Sequence, residues 1–391
     1  MSKETLCISK KDFLFYIAFG CYFTCQFFSS TLFSNWINFI TIRLIMFFFV
    51  SLVLGMKFLS DRNYKNSGIF ITILFLAIIV GLKAENLRDL ILISLFLLEA
   101  RNMEFKRFAR FYCIISSIFL FFVLACDAIG VFDSITVNVV RSTNNTVRHL
   151  LGFNFTTYSA NFFLSIVLAY LYIDNRKKRL LSNIILLLLN YFFFFFTDTK
   201  VAFFETLLFI VGVEIIKLTK FKIEKHVVVA FFSRFIFVFS AAVSLFVAFS
   251  YQTNFFIRGI DKIFNYRISL AYRALAEYPI MLFGNKVEWV LKSGEYAYFY
   301  VDCSYIQVLL QYGLVIFALI ILGFTSLIKK EIAESENITV WCLIIVALHS
   351  ITDPQLLNLA YNPFLLMLPL IFVRRDDRKN KRIFHIETLK A

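Results

Sequence analysis

Residues 36–56 read WINFITIRLIMFFFVSLVLGM, an apolar run interrupted by one charged side chain, Arg43. A helix of this length covers about 30 Å, which matches the hydrocarbon core of a lipid bilayer. The stretch therefore predicts a helix that spans a membrane. Apolar runs of similar character, separated by short charged segments, recur along the 391 residues. Because a spanning helix satisfies its own backbone hydrogen bonds, the chain is expected to form one helical bundle.

The composition excludes a water-soluble globular protein. Hydrophobic residues make up 60% of the chain, with 52 Phe and only 4 Pro, and the mean hydropathy is +0.77. A soluble fold could not bury that much apolar surface. No cleavable signal peptide is expected, because the first apolar run follows Lys3, Lys10 and Lys11 without a small-residue cleavage site.

The apolar runs predict about twelve membrane spans. We place them at 12–30, 36–56, 68–82, 88–100, 108–126, 152–173, 180–197, 200–217, 227–250, 303–328, 338–352 and 355–373. The third and fourth spans are shorter than the about 20 residues that cross hydrocarbon, so they are expected to be tilted, extended or partly re-entrant. The sequence thus predicts an all-α polytopic protein, with residues 1–391 in a single membrane domain.

The basic residues indicate which side of the membrane each loop occupies. With the N-terminus in the cytoplasm, and with cations near a span end counted with the adjoining loop, inner segments hold 27 of the 40 Lys and Arg residues, outer segments hold 11 and span interiors hold 2. This asymmetry follows the positive-inside rule and predicts a cytoplasmic tail, 374–391, and extracytoplasmic loops at 127–151 and 251–300. Because the cations lie between apolar runs, topology explains the net charge of +14, and no nucleic-acid partner is expected.

The stretch FNYRISLAYRALAEYPIMLFGNKV, residues 264–287, lies within the second outer loop. Its apolar positions predict an amphipathic helix along the membrane surface that ends before Pro279. Arg273 has an acid, Glu277, at the i+4 position. Arg267 has no acid three or four residues away, so this cation is expected to meet a distant carboxylate or an anionic ligand.

Short polar motifs stand near the predicted outer ends of several spans. They are RHLLGF at 148–153, TDTK at 197–200, the spacing of Arg273 to Gly284, VDCSY at 301–305 and LLQYG at 309–313. In order and placement they resemble the motifs of Wzy-type oligosaccharide repeat-unit polymerases of capsule, exopolysaccharide and O-antigen synthesis. The resemblance covers about residues 140–325. It departs at 154–156, where Asn-Phe-Thr replaces His-Pro-Asn, and at Lys200, where the family has Arg.

The resemblance implies a GT-C-like membrane enzyme of the bacterial cytoplasmic membrane that joins repeat units carried on undecaprenyl pyrophosphate at the outer leaflet. The leaving pyrophosphate gains negative charge, which fixed guanidinium groups can stabilise. The candidates for this clamp are Arg148, Arg267 and Arg273. Substrate-binding candidates are Lys200, Arg141 and Tyr305. A flippase and a chain-length regulator are implied as partners.

The acceptor hydroxyl in such a reaction has a high pKa and needs a base. His149 and Asp302 are the first candidates, and Asp353 with His349 is a less favoured one. The sequence has no Asp-x-Asp motif of the kind that binds a metal in glycosyltransferases, so a reaction without metal or other cofactor is expected.

Several of these residues also fit purely structural roles, and the whole chain fits further classes of protein. Asp302 would favour the dipole at the start of a helix, His149 would make an ordinary interfacial hydrogen bond, and Glu205 would pair across helices.

An O-antigen-ligase-type transferase is the closest enzymatic alternative. The resemblance places it in the same broad superfamily, and it differs in the molecule that serves as acceptor. A lipid-linked oligosaccharide flippase, another transporter, or a structural or sensor protein are the alternatives from other classes, although transporters tend to show related halves and this chain has no internal repeat.

Overall fold

The computed structural model describes residues 10–61, 64, 67–101, 103–132, 136–140, 145–174, 180–262, 264–290 and 298–372. Its α-helices are α1 Lys10–Ser29, α2 Phe39–Ser60, α3 Ser67–Lys83, α4 Leu87–Ala100, α5 Phe105–Ala128, α6 Tyr158–Ile173, α7 Leu180–Thr197, α8 Lys200–Thr219, α9 Val227–Arg234, α10 Ile236–Phe249, α11 Phe255–Asp261, α12 Arg267–Glu277, α13 Ser304–Gln307, α14 Gly313–Ala333 and α15 Asn337–Thr352. A π-helical turn, Val308–Tyr312, joins α13 to α14, and 3-10 helices cover Leu32–Asn35, Ile223–Lys225 and Pro363–Phe372. The predicted tail 374–391 and Arg141 lie outside the described residues.

Within the described residues, four helical segments are long and apolar enough to cross a membrane. They are Phe39–Ser60, Phe105–Ala128, Leu180–Thr197 and Ser304–Ala333, and the bent pair α9–α10 adds a fifth if it forms one span. Shorter apolar helices cover Ser67–Lys83, Tyr158–Ile173, Asn337–Thr352 and Pro363–Phe372. Large apolar side chains on α2 face outward, as expected for contact with lipid: Ile40 and Phe48 are 77% and 63% exposed. The fold is compatible with a multi-pass membrane protein, and the count of twelve spans stays a prediction.

The last predicted span, 355–373, is wrong as an α-helix. Its residues form buried turns followed by the 3-10 helix Pro363–Phe372. Pro354, Pro363 and Pro369 lie in this region, and proline lacks the N–H that an α-helix needs. The ninth span is broken as well, because α9 and α10 meet at 59°. Residues 227–249 contain neither Pro nor Gly, and the structure offers no local cause for this bend.

The first outer loop contains a β-hairpin that the all-α prediction missed. Strands β1 Thr136–Val140 and β2 Asn145–His149 pair in antiparallel register, with Val137 opposite Arg148. Both segments are rich in Val and Thr, which favour extended backbone. In the second outer loop, α12 ends at Glu277, which confirms the predicted helix before Pro279, and its place along the membrane surface stays a prediction.

Both outer loops lie at the same end of the bundle. The backbone N–H of Leu32 donates to the carbonyl of Gly152 at 2.9 Å, so the residue directly after the first outer loop docks just beyond the end of α1. Lys286 of the second outer loop lies 3.0 Å from the carboxylate of Glu85 between α3 and α4. We call this end, following the predicted orientation, the outer end. Both loops therefore face the same set of helix ends.

Two glycines explain how the second outer loop attaches to the bundle. Gly284 has a φ of +78° and Gly313 a φ of +81°. A Cβ on Gly284 would lie 2.1 Å from the carbonyl oxygen of Gln311, and a Cβ on Gly313 would lie 2.2 Å from the backbone nitrogen of Gly284. Only glycine permits both the backbone angles and this approach. The adjoining N–H groups of α14 then bond to the loop, with Leu314 donating to Met281 at 2.9 Å.

The predicted orientation can be tested by cysteine labelling. A Lys286→Cys variant is expected to react with a membrane-impermeant maleimide added outside intact cells, whereas Lys222→Cys is expected to react only after lysis. The two lysines lie on opposite sides of the predicted topology, and neither is buried. The unsubstituted chain gives the background, which should be low, because the six described cysteines are buried or half-buried. Outside labelling of Lys222→Cys alone would reverse the orientation.

Candidate active site

Arg267 and Asp302 form an ion pair at the outer end. The Nε of Arg267 lies 2.9 Å from Oδ2 of Asp302, and its Nη1 donates to the carbonyl oxygen of Thr352 at 3.0 Å. Arg267 is the first residue of α12, where the carboxylate of Asp261 accepts hydrogen bonds from backbone N–H groups of the first turn, including that of Ile268 at 2.9 Å. The expectation of a distant carboxylate for Arg267 is thereby confirmed.

A chain of acidic and imidazole groups lies next to this ion pair. Nδ1 of His349 lies 2.6 Å from Oε2 of Glu205, and Nε2 of His349 lies 3.8 Å from Oδ1 of Asp353. The amide of Asn161 donates to Oδ2 of Asp353 at 2.5 Å. All four residues lie within the bundle, and 19% of the His349 side chain is exposed. We call the set Asn161, Glu205, Arg267, Asp302, His349 and Asp353 the polar cluster.

The turn that follows α15 fixes the position of the polar cluster. The hydroxyl of Ser304 donates to the carbonyl of Asp353 at 2.6 Å and accepts from the N–H of Leu356 at 3.0 Å. The N–H of Gln355 donates to the Asp353 carboxylate at 3.1 Å. Because Ser304 begins α13 and follows Asp302 by two residues, these bonds hold the Asp302 and Asp353 segments side by side.

Two loop residues, Asp302 of the polar cluster and Tyr300 beside it, both have raised pKa values. Burial raises the pKa of the Asp302 carboxyl, and the charge and hydrogen bond of Arg267 oppose this rise. Burial also raises the pKa of the Tyr300 phenol, a hydrogen bond with Gln307 opposes that rise, and the charges of Asp353 and Asp302 add to it. An Asp with a raised pKa takes up a proton at higher pH than an exposed Asp does. As the pH falls, the ion pair with Arg267 is therefore lost at a higher pH than an ion pair of an exposed Asp would be.

Arg148 forms a second ion pair near the start of α8. Its Nη2 lies 2.9 Å from Oδ2 of Asp198 and 3.3 Å from the Asp198 carbonyl, while its Nε is buried and has no hydrogen-bond partner among the described residues. Asp198 adopts a φ of +48° in the tight turn between α7 and α8. Lys200, the first residue of α8, is exposed. Glu205 lies five residues further along the same helix, which corresponds to about 7.5 Å along its axis.

The other predicted site residues lie apart from the polar cluster. The ring of His149 packs edge-on against Phe196, with 5.5 Å between centroids. Arg273 pairs with Glu277 at 2.6 Å, as its i+4 spacing predicted, and its guanidinium lies 4.8 Å from the ring centroid of Phe299. Among the predicted clamp residues, only Arg267 therefore belongs to the cluster.

Tyr305, which the sequence predicts as a substrate contact, is buried in the bundle. Its side chain is 1% exposed, and its hydroxyl donates to the carbonyl of Ala347 at 2.8 Å. The structure therefore corrects its assignment from substrate binding to core packing, because Tyr305 follows Ser304 in the first turn of α13, where Ser304, Tyr305 and Ile306 are all buried. The predicted contact residue Arg141 lies outside the described residues.

Sequence reasoning undervalued the residues at the centre of the site. Glu205 was expected to pair across helices, and its contact with His349 confirms this. His349 and Asp353 stood only as the less favoured base, and Asn161 was not singled out. The available signal was the i+4 spacing of His349 and Asp353 together with an acid inside a predicted span, since ionisable groups at membrane depth are expensive to bury.

The polar cluster combines two chemical capacities. The imidazole of His349, flanked by two carboxylates, can accept and pass a proton. The guanidinium of Arg267 can donate charge-assisted hydrogen bonds to an anion beside it.

No protein-family model, curated protein or solved structure matches the chain significantly.

Proposed function

We propose that the chain is an integral-membrane glycosyltransferase that polymerises oligosaccharide repeat units carried on undecaprenyl pyrophosphate. The reaction takes place at the outer face of the cytoplasmic membrane of a bacterium. The proposal is carried by the polar cluster, in which a guanidinium lies beside a carboxylate–imidazole chain at one end of an apolar bundle. The order of the motifs along residues 140–325 supports it. A flippase that delivers repeat units and a chain-length regulator are the partners that this function implies.

The pair of His349 and Asp353 fits the role of the base best. The base takes the proton of the acceptor hydroxyl, and that oxygen forms a bond to the anomeric carbon of the donor glycan. The bond from the anomeric carbon to the pyrophosphate oxygen breaks, and its electrons leave with the pyrophosphate. Asp302 fits this role less well, because its carboxylate is already bound to Arg267.

Arg267 stabilises the charge of the departing pyrophosphate. Its Nε binds Asp302 and its Nη1 binds the Thr352 carbonyl, whereas no described residue accepts a hydrogen bond from Nη2. These contacts fix the plane of the guanidinium before substrate arrives, and a preoriented donor costs little reorganisation when charge develops. Arg148 is held in the same manner by Asp198, close to the start of the helix that carries Glu205.

Replacement of Arg267 tests this proposal. Arg267→Ala is expected to lower the rate of polymer formation about 10²–10³-fold, as loss of one preoriented donor does, while lipid-linked single repeat units accumulate. Arg267→Lys is expected to recover part of this loss, because it keeps the charge and loses the planar fork. The readout is the length distribution of the polymer and the amount of lipid-linked units in cells that carry each variant as their only copy.

Arg258→Ala is the matched control, because Arg258 is an exposed cation of the same outer loop and belongs to neither ion pair. Arg273→Ala is expected to shorten the polymer less than Arg267→Ala. The reason is that Arg273 and its partner Glu277 are both exposed and lie apart from the polar cluster. Wild-type chain lengths from Arg267→Ala, at wild-type membrane levels of the protein, would remove the guanidinium from the reaction.

A further inference from the structure

A second polar site lies at the outer end, between α1, α2 and α4. It is a cavity of about 210 Å³, whose lining includes Arg43 and Met46 of α2 and Arg88 and Asp89 of α4. The polar cluster contributes none of the lining residues. The cavity is therefore a separate site, which the reaction described above does not use.

The cations of this cavity differ from the predicted clamp residues in their partners. Arg148, Arg267 and Arg273 are each bound to a carboxylate. By contrast, neither Arg43 nor Arg88 forms an ion pair with any residue in the described part of the chain. Both guanidinium groups therefore keep donors that can bind an anion.

The charges around the cavity favour a small anion. Arg43 donates from Nη2 to the hydroxyl of Ser29 at 2.7 Å, which fixes the guanidinium at the edge of the cavity. Asp89 is close enough to Arg43 and Arg88 to interact with both electrostatically. One carboxylate cannot neutralise two guanidinium groups, so a net positive charge remains where two forked donors converge.

The surroundings of Arg43 indicate that the anion arrives from the membrane. Ile40 and Leu44, on the same turn of α2, are 77% and 45% exposed, and Arg43 lies between them. Arg43 lies four residues after Phe39, the first residue of α2, which corresponds to about 6 Å along the helix axis. In a helix that crosses the membrane, an Arg side chain about one turn from the helix end can extend to the phosphate of a lipid headgroup.

The size of the cavity restricts which part of a lipid it can hold. Pockets for drug-sized ligands have volumes of about 300–1,000 Å³, so 210 Å³ suits a phosphate or diphosphate and not an oligosaccharide. Met46 and Leu92 supply apolar lining beside the charged groups. A headgroup would therefore sit at the cations while its hydrocarbon chain stays along α2.

We infer that this cavity binds the phosphate or diphosphate headgroup of a membrane lipid between Arg43 and Arg88. Only the identity of the lipid rests on the proposed function, under which a polyprenyl diphosphate is the expected lipid. The cavity is connected to the second outer loop through Asn86, whose amide donates to the hydroxyl of Tyr312 at 2.7 Å. Tyr312 directly precedes Gly313, on which that loop docks.

Binding to the purified full chain in phosphatidylcholine nanodiscs tests the inference without any turnover. The probes are undecaprenyl pyrophosphate, phosphatidylglycerol and inorganic pyrophosphate. Undecaprenyl pyrophosphate is expected to bind, and its Kd is expected to rise at least about tenfold in Arg43→Gln and in Arg88→Gln, because each loses a charged fork. Arg258→Gln removes an exposed outer cation elsewhere and is expected to leave this Kd unchanged.

The three probes distinguish the sources of the phosphate group. If phosphatidylglycerol binds as tightly as undecaprenyl pyrophosphate, and both lose affinity in the two variants, a lipid phosphate site is supported and its expected lipid is corrected. If inorganic pyrophosphate, which has no lipid tail, binds as tightly as either lipid, the proposal that the phosphate group comes from a membrane lipid is overturned. Equal binding of all probes to the wild type and to both Arg variants overturns the inference, whatever the polymer assay gives.

A photoreactive analogue of undecaprenyl pyrophosphate gives a second test on the wild-type protein, in which no variant has to fold. A diazirine beside the diphosphate is expected to label peptides from α2 and α4. Labelling confined to peptides around Arg267 and His349 would place the lipid at the polar cluster alone and overturn the inference.

Discussion

Exchange of His349 for Gln is expected to lower the turnover number for polymer formation about 10²–10⁴-fold, which is the contribution of a general base. The imidazole lies between Glu205 and Asp353, and Gln has the size to fill part of its space but cannot take up a proton. Asp353→Asn is expected to act in the same direction, because an amide is not basic. Single-turnover rates with purified protein and lipid-linked repeat units provide the measurement.

His226→Gln is the matched control for this prediction. His226 stacks on Phe221 with 4.6 Å between ring centroids, in the segment between α8 and α9 that the predicted topology places in the cytoplasm. The control is expected to polymerise at the wild-type rate. Loss of a base should lower the turnover number and leave the binding of substrate largely unchanged. If His349→Gln stays within about threefold of the wild-type rate, with its thermal unfolding unchanged, the base lies elsewhere.

Exchange of Gly284 for Ala is expected to detach the second outer loop from the bundle. The added methyl group would lie 2.1 Å from the carbonyl oxygen of Gln311, which is backbone and cannot rotate away, and the φ of +78° is strained for alanine. The strained angle alone costs about 1–3 kcal/mol. Protease cleavage after Lys286 or Arg273 should accelerate, and the unfolding temperature of the purified protein should fall.

Gly259→Ala is the control for Gly284→Ala, because Gly259 belongs to α11 in the same loop and a Cβ there would meet no neighbouring part of the described chain within 4 Å. It is expected to keep the wild-type pattern of cleavage. Polymer formation should fall in Gly284→Ala together with the docking of the loop, since α12 and Arg267 belong to that loop. Equal cleavage of the two variants would show that the contact with Gly313 does not hold the loop.

The ion pairs at the outer end bear on how a pyrophosphate could bind there. Arg267 is bound to Asp302 and Arg148 to Asp198, so a phosphate must either use the remaining donors or displace a carboxylate. A carboxylate that stays in place fixes the guanidinium and lowers the net charge it presents. Arg43 and Arg88, which form no ion pair within the described residues, offer stronger attraction for an anion. Recognition of a lipid headgroup and stabilisation of a leaving group can therefore be separate tasks.

The individual motifs differ in how well sequence predicted their roles. The pairing of Arg273 with Glu277 and the end of α12 before Pro279 follow from spacing within a few residues, and both are observed. The glycines at 284 and 313 stood out as parts of motifs, yet their purpose became clear only from their contact with each other. Tyr305 belongs to such a motif as well, and the structure shows that it packs in the core.

The sequence by itself determined the apolar helical character of this protein and the positions of most helices, because helix periodicity and apolar runs are local properties. It also determined which Lys and Arg residues lie in the loops between the apolar runs. Only the tertiary structure decided which charged groups meet. Glu205 and His349 are 144 residues apart in sequence and 2.6 Å apart in space, and no local pattern encodes a contact that arises when distant helices pack.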